Sequence, residues 1–193
     1  MVVAGARAGR ILGPVSRLVL LLRGINVGRA KRIGMADLRE LLTEAGYGDV
    51  RTHLQSGNVV LSCDQPAASV ARDVHDRIKE RFGFDVAVIA RTAAELTAVV
   101  EAAPLADVAT DPARHMVAFL SAEPDAAAVR ELEATDFAAE QIVAAERELY
   151  LWCPDGLQNS ALVKALTAER LGVEVTVRNW NTVVKVLKMA VDA

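Results

Sequence analysis

The sequence has few of the residues that mark metal sites and nucleophilic enzymes. Of its 193 residues, three are histidine and two are cysteine. His53, His75 and His115 are scattered, and Cys63 and Cys153 lie far apart without the spacing of a metal site. Motifs of the HExxH, CxxC, GxSxG and DxD types are absent from the sequence. We therefore predict no metal and no other cofactor, and whether the protein is an enzyme stays open.

Long apolar runs and an excess of basic charge are also missing. No run approaches the roughly 18 residues of a membrane span, and residues 1–16 lack the continuous apolar stretch of a secretory signal. The net charge is −3, whereas a general nucleic-acid binder is usually basic. We expect a cytoplasmic protein with reduced thiols and no membrane partner, preceded by a flexible N-terminal extension over residues 1–16.

The apolar pattern, carried by a sequence that is 52% hydrophobic, predicts the same order of elements twice. In the first half, alternation and helical spacing predict strand, helix, two strands, helix, strand and helix. Thr92-Ala93-Ala94-Glu95 has the form of a capping box that starts the last helix. The predicted elements before it are Arg17–Arg23, Met35–Ala45, Val50–Leu54, Asn58–Cys63, a helix around residues 70–82, and Asp85–Ala90.

The second half repeats this order at an offset of about 90 residues. Its predicted elements are His115–Ser121, Asp125–Ala134, Glu140–Ala144, Glu148–Cys153, Asn159–Leu171, Val173–Arg178 and Trp180–Val191. The order favours an α+β protein of two tandem ferredoxin-like βαββαβ(α) subdomains that pack into one globule. The predicted subdomains are residues 17–104 and 115–193, and residues 105–114 form the linker between them. The first strand of each half is apolar at both alternating positions, so both faces of each sheet should be covered.

The halves differ most in the connection between the first strand and the first helix. Gly24–Gly34 spans eleven residues, whereas Ala122–Pro124 spans three. The long connection is rich in glycine and basic residues, and the split βαβ arrangement places it beside the hairpin after the second strand. Cations near exposed backbone N–H groups favour an anion. The predicted contacts to a small anionic or phosphorylated ligand are Arg23, Asn26, Arg29, Lys31, Arg32, Gln55, Ser56 and Asn58.

Two other interpretations of this loop and its neighbours stay open. Glycines and basic residues on a surface are often only a solvated turn, and the loop has neither the Walker A nor the GxGxxG order. A second candidate site combines Arg178, Asn179, Trp180 and Ser160, where polar residues flank an aromatic ring. In the structural alternative, Asn179 caps the final helix and Trp180 is a packing anchor.

Three segments together resemble a known family. LLRGINVG (Leu21–Gly28), LQSGNVV (Leu54–Val60) and TVRNWNTV (Thr176–Val183) are similar to the bacterial domain-of-unknown-function family DUF1697, as is RTAAEL (Arg91–Leu96). The resemblance implies a two-subdomain α+β fold with ferredoxin-like character and implies no known activity. This chain has Arg29 where the family usually has a glycine.

The predicted function is therefore a module that binds a small anionic ligand. Single-stranded RNA binding is the first alternative, because Tyr150 and Trp152 alternate on one strand as stacking aromatics do in RNA-recognition domains. Apolar residues on both faces of the strands favour packing roles for these two rings. An enzyme of undetected chemistry is the second alternative. The pattern does not indicate an oligomeric state.

Overall fold

The computed structural model describes residues 15–28 and 30–192. Val15 and Ser16 are the only described residues of the predicted N-terminal extension, and Ser16 already belongs to the first strand. In the described first half, the elements are β1 Ser16–Leu22, α1 Met35–Glu44, β2 Gly48–His53, β3 Asn58–Cys63, α2 Ala67–Phe82, β4 Val88–Thr92 and α3 Ala93–Ala102. In the described second half, they are β5 His115–Leu120, α4 Ala126–Ala134, β6 Gln141–Ala144, β7 Glu148–Trp152, α5 Ala161–Ala165, α6 Ala168–Leu171, β8 Val175–Asn179 and α7 Trp180–Val191.

The strands of the described residues form two four-stranded antiparallel sheets. Their orders are β2-β3-β1-β4 and β6-β7-β5-β8, so the second sheet repeats the first. The register repeats as well: Val19 is opposite Arg91 across β1 and β4, and Val117 is opposite Arg178 across β5 and β8. A mixed α/β fold with two sheet subdomains, as predicted, is confirmed.

One face of each sheet packs against its own helices. Leu18, Leu20 and Leu22 of β1 contact the apolar sides of α1 and α2 in one buried cluster. Met116, Ala118 and Leu120 of β5 belong to a separate cluster with α4, α5 and α6. Each half therefore has a core of its own.

The other faces of the two sheets share a third cluster, which we call the shared layer. It joins strand residues of both halves to α3 and α7. Burial of one aliphatic side chain contributes about 1.5–3 kcal/mol, so this layer outweighs the surface ion pairs between the halves. The prediction that both faces are covered is confirmed. The buried members are Val19, Leu21, Val60, Ile89, Leu96, Val99, Leu105, Val117, Phe119, Tyr150, Val183, Val186 and Ala190.

Several predicted elements have different bounds in the structure, and two of the differences have a local cause. The single helix predicted at Asn159–Leu171 is wrong, because Leu166 leaves the helical region and Thr167 caps a new helix by accepting a hydrogen bond from the Arg170 amide. The strand predicted from Asp85 begins only at Val88. The Asp85 carbonyl instead accepts a hydrogen bond from Lys31, so the start of this segment lies against the loop after β1.

The predicted capping box at the start of α3 is confirmed. The Thr92 hydroxyl accepts from the Glu95 amide, and the Thr92 amide donates to the Glu95 carboxylate. Within residues 15–28 and 30–192, none of the helices has the length and apolar character that crossing a membrane requires.

Candidate functional site

The long loop after β1 is held in shape by Asn26. Its side-chain amide donates to the Ile33 carbonyl at 2.9 Å and accepts from the Ile33 amide at 3.0 Å. Its backbone amide donates to the Lys31 carbonyl at 3.0 Å. Asn26 and Lys31 both have positive φ, which few residues other than glycine adopt. Arg29, a predicted ligand contact, lies outside the described residues.

The loop contacts the β2–β3 hairpin, as predicted from the topology. The Asn26 side chain donates to the Gln55 carbonyl at 2.8 Å. Gly57, with a φ of +77°, allows Leu22 and Ile25 to approach, since a Cβ there would lie 2.7 Å from the Leu22 Cβ. The hairpin therefore supports the base of the loop.

A cavity of about 650 Å³, which we call the junction cavity, lies where this loop meets α2 and the second half. Such a volume lies within the range of small-molecule sites. Its lining residues are Arg23, Gly24, Lys31, Ala71, Arg72, His75, Asp85, Ala87, Val88, Ser121 and Glu174.

The three cations that line the junction cavity differ in whether another side chain or a carbonyl binds them. Arg23 forms an exposed ion pair with Glu174 of the second half. The Lys31 Nζ donates to the Asp85 carbonyl at 2.8 Å, and within the described part of the chain Lys31 forms no ion pair. Arg72 forms no ion pair or hydrogen bond among the described residues and is exposed. The lining thus holds three permanent cations against the carboxylates of Asp85 and Glu174.

His75 and Asp85 form the α2 side of the same cavity. The His75 Nδ1 lies 2.8 Å from the Val86 carbonyl, and its Nε2 lies 3.5 Å from the Asp85 carboxylate. A hydrogen bond from Lys79 is the main cause that lowers the pKa of Asp85, with His75 and Lys31 adding to it. Asp85 is therefore ionised at neutral pH.

The other side of the loop borders a second cavity, of about 570 Å³, which we call the loop cavity. Arg32 lines it and has no ion pair among the described residues. Asp37, in the first turn of α1, also lines it and brings a carboxylate to the helix N-terminus. The remaining lining residues are Asn26, Ile33, Gly34 and Gln55.

Two predicted ligand contacts are instead engaged within the hairpin. Asn58 is fully buried, and its side chain donates to the His53 carbonyl at 2.9 Å and to the Ser56 hydroxyl at 3.1 Å. The Asn58 Oδ1 accepts from the Nε of Arg178 at 2.6 Å. The structure therefore divides the predicted set: Arg23 and Lys31 line the junction cavity, Asn26, Arg32 and Gln55 line the loop cavity, and Ser56 and Asn58 bond within the hairpin.

Arg178 crosses from the second half to the first. Its Nη2 donates to the Leu22 carbonyl at 2.7 Å and to the Ser56 carbonyl at 3.0 Å, and its Nη1 donates to the Thr176 hydroxyl and the Val177 carbonyl. Burial lowers its pKa to about 10, so the guanidinium stays charged. Among the described residues, no carboxylate pairs with it.

Arg91 makes the reciprocal crossing from the first half to the second. Its Nη2 donates to the Leu120 carbonyl at 2.8 Å and to the Arg147 carbonyl at 3.0 Å. Its Nε donates to the Glu148 carboxylate at 2.7 Å. Burial lowers the pKa of Arg91, and Glu148 opposes that shift.

The other residues of the second candidate site have separate structural contacts. The buried Ser160 hydroxyl accepts from the Val163 amide at 2.9 Å and caps α5. Asn179 caps α7 by accepting from the Thr182 amide at 3.0 Å. Trp180 stacks on His115 with ring centroids 4.3 Å apart. These contacts agree with the structural alternative stated for Asn179 and Trp180.

The aromatic residues of β7 face the shared layer. Tyr150 is 2% exposed, and its hydroxyl donates to the Val99 carbonyl at 3.1 Å. Trp152 packs against the same layer. Stacking of a nucleic-acid base requires an open ring face, and the buried Tyr150 does not offer one.

Sequence reasoning did not include the polar and charged lining residues of the junction cavity outside the loop, which are Arg72, His75, Asp85, Ser121 and Glu174. Arg72 and His75 lie one helical turn apart on α2, and that spacing was a usable signal for a shared face. Ser121 and Glu174 reach the cavity only through the packing of the second half against the first. No local pattern in the sequence reports that packing.

Comparisons with known proteins give a family and a similar fold, and they name no activity. The family model described as "Protein of unknown function (DUF1697)" matches residues 15–150. A solved structure described as conserved bacterial protein SP0830 from Streptococcus pneumoniae superposes with a TM-score of 0.75 at 23% identity, over 92% of this chain and 99% of that chain. At this identity the likeness shows the fold alone. A search of curated proteins found no match.

Proposed function

Since this chain belongs to the DUF1697 family, whose description assigns no activity, we propose from the site itself that the protein binds a small anionic, phosphorylated ligand in the junction cavity. The observation that carries the proposal is the convergence of Arg23, Lys31 and Arg72 from separate segments on one cavity. Among the described residues, Arg72 has no partner, and Lys31 has a hydrogen bond to the Asp85 carbonyl but no ion pair. An anion can therefore pair with both without breaking an existing ion pair.

The size of these interactions favours a ligand larger than a single phosphate. Two or three charge-assisted hydrogen bonds contribute about 1.5–3 kcal/mol each. Association costs at least about 4 kcal/mol. The opposite wall supplies the Ser121 hydroxyl and the Glu174 carboxylate, which accept hydrogen bonds from hydroxyl groups. A phosphate ester that also carries hydroxyl groups suits both walls.

The remaining predicted contacts have supporting roles in this proposal. Arg29 and Arg32 add positive potential to the loop. Asn26 and Gln55 fix the loop against the hairpin through their 2.8 Å hydrogen bond. Ser56 and Asn58 hold the hairpin through side-chain and backbone contacts.

Thermal-shift titration tests the proposal with inorganic phosphate, ribose 5-phosphate, glucose 6-phosphate and unphosphorylated ribose. A ligand at 100 times its Kd stabilises the folded state by about 2.7 kcal/mol. We expect a saturable rise in Tm with a sugar phosphate and none with ribose. The rise should disappear in Lys31→Ala and Arg72→Ala.

Arg81→Ala is the matched control, because Arg81 is an exposed cation on the same helix and lies away from this cavity. It should keep the full rise in Tm. The proposal is wrong if no phosphorylated probe stabilises the protein, or if all three variants respond alike.

We further infer that each half is a ferredoxin-like unit and that the halves arose by internal duplication. The repeated strand order and the equivalent positions of Arg91 and Arg178 support this origin. Residues 17–104 and 115–193, with a linker at 105–114, remain the proposed division. The free thiols of Cys63 and Cys153 support the proposal of a cytoplasmic location.

A further inference from the structure

Arg178 and Arg91 occupy equivalent places and bind equivalent parts of the opposite half. Each donates through Nη2 to the carbonyl of the last residue of a central strand, Leu22 in β1 or Leu120 in β5. Each also donates to a carbonyl in the hairpin that precedes the neighbouring strand. The two halves thus hold each other through a reciprocal pair of buried arginines.

The contacts of Arg178 continue into the loop of the proposed ligand site. Leu22, whose carbonyl Arg178 binds, immediately precedes Arg23, which lines the junction cavity. Ser56, the second carbonyl partner, follows Gln55, whose own carbonyl accepts from Asn26. Arg178 therefore bonds to the end of the strand that leads into the Gly24–Gly34 loop, and to the hairpin residue next to the one that Asn26 contacts.

The two arginines differ in the charge of one partner. Glu148, the first residue of β7, places a carboxylate on Arg91. Asn58, the first residue of β3, offers Arg178 a neutral amide oxygen in the same place. A carboxylate at residue 58 would set a negative charge at the base of the basic loop. Because this partner is a neutral amide, Arg178 has no carboxylate partner among the described residues, and its positive charge lies beside the loop where an anion is proposed to bind.

We propose that Arg178 is a positioning residue for the anion site: it fixes the strand end and the hairpin that carry the ligand loop, and its positive charge adds to the attraction for the ligand. This role rests on the proposed function. Asn58 contributes to this role because its neutral side chain binds Arg178 without cancelling the positive charge. Arg91 carries out the same structural task in the half that lacks a long loop. Its partner Leu120 precedes Ser121, a cavity residue without charge, so Arg91 positions no cationic contact to the ligand.

The equivalence of the two arginines provides the test, in which Arg178→Lys is compared with Arg91→Lys. Lysine cannot reproduce the set of hydrogen bonds of either guanidinium, so both variants should unfold at lower urea concentration than the wild type. Affinity for ribose 5-phosphate, measured by isothermal titration calorimetry on the full chain, should fall about tenfold in Arg178→Lys alone. In Arg91→Lys, it should stay within about twofold of the wild type.

Asn58→Asp gives a second measurement that keeps Arg178 and its charge in place. A carboxylate at this position should weaken binding of ribose 5-phosphate several-fold, although it adds a partner for a buried cation. A wild-type protein that binds none of the phosphorylated probes, ribose 5-phosphate included, rejects the proposed function, and this role with it. Binding in the wild type that Arg178→Lys leaves intact, or that Arg91→Lys weakens equally, rejects only the role of Arg178. If Arg178→Lys does not fold, unchanged affinity in Asn58→Asp overturns the proposal.

Discussion

Removing the carboxylate from Glu148 should destabilise the protein far more than removing an exposed one. The Arg91 and Glu148 side chains are 1% and 13% exposed, and their bond is 2.7 Å long. Truncation to alanine leaves a buried guanidinium with an unused Nε–H and without its paired carboxylate, which costs about 3–5 kcal/mol. Glu148→Gln keeps an oxygen acceptor, as Asn58 does for Arg178, and should cost about 1–2 kcal/mol.

Glu174 supplies the matched control for this comparison. It pairs with Arg23 across the same two halves, but the side chains are 46% and 41% exposed. An exposed pair contributes at most about 1 kcal/mol. Urea unfolding of Glu148→Ala, Glu148→Gln and Glu174→Ala should therefore give decreasing losses in that order. A loss in Glu148→Ala no larger than in Glu174→Ala would refute the assignment of a stabilising buried pair.

Two further substitutions probe the backbone and the buried histidine. Gly57→Ala should lower the free energy of unfolding by about 2–4 kcal/mol, because the positive φ and the overlap with Leu22 act together. Gly46 also has positive φ but faces open space, so Gly46→Ala should lower it by only about 1 kcal/mol. Equal losses in urea unfolding would contradict the close approach at Gly57. Burial lowers the pKa of His115 in the folded protein. Between about pH 6.5 and that lowered pKa, the unfolded chain therefore binds more protons than the folded protein does. The free energy of unfolding falls as the pH drops through this window. His115→Phe keeps a ring against Trp180 but removes the titrating group. The free energy of unfolding should then differ less between about pH 7.5 and about pH 5.5 than it does in the wild type. An unchanged difference would contradict a contribution of His115 to the loss of stability at low pH.

Much of the fold follows from local patterns in the sequence. The apolar spacing predicts the element order, and Thr92 and Glu95 predict the capping box, because the determining contacts lie within one turn of chain. The break in the predicted helix at Leu166 and Thr167 was missed. Threonine fits both a helix interior and a helix cap, and the spacing of apolar residues does not separate the two.

The site was predicted only as far as the topology of one half allows. The contact between the loop and the hairpin follows from parallel first and second strands, and the Asn26–Gln55 bond confirms it. The division of the basic residues between two cavities depends on how the loop folds around Asn26. The wall made by Ser121 and Glu174, and the partners of Arg178, depend on packing between halves. Those contacts join residues more than ninety positions apart, and no periodic pattern records them.

The burial of both sheet faces limits where this protein can acquire new binding preferences. Every residue of β5 is buried, so a substitution on that strand alters a core and cannot enlarge an exposed surface. Variation that changes recognition without loss of stability must therefore concentrate in the connections at the strand ends. The three-residue connection Ala122–Pro124 stands where the first half has its eleven-residue loop. An insertion there would extend the second half at the position equivalent to the basic loop while leaving the strands unchanged.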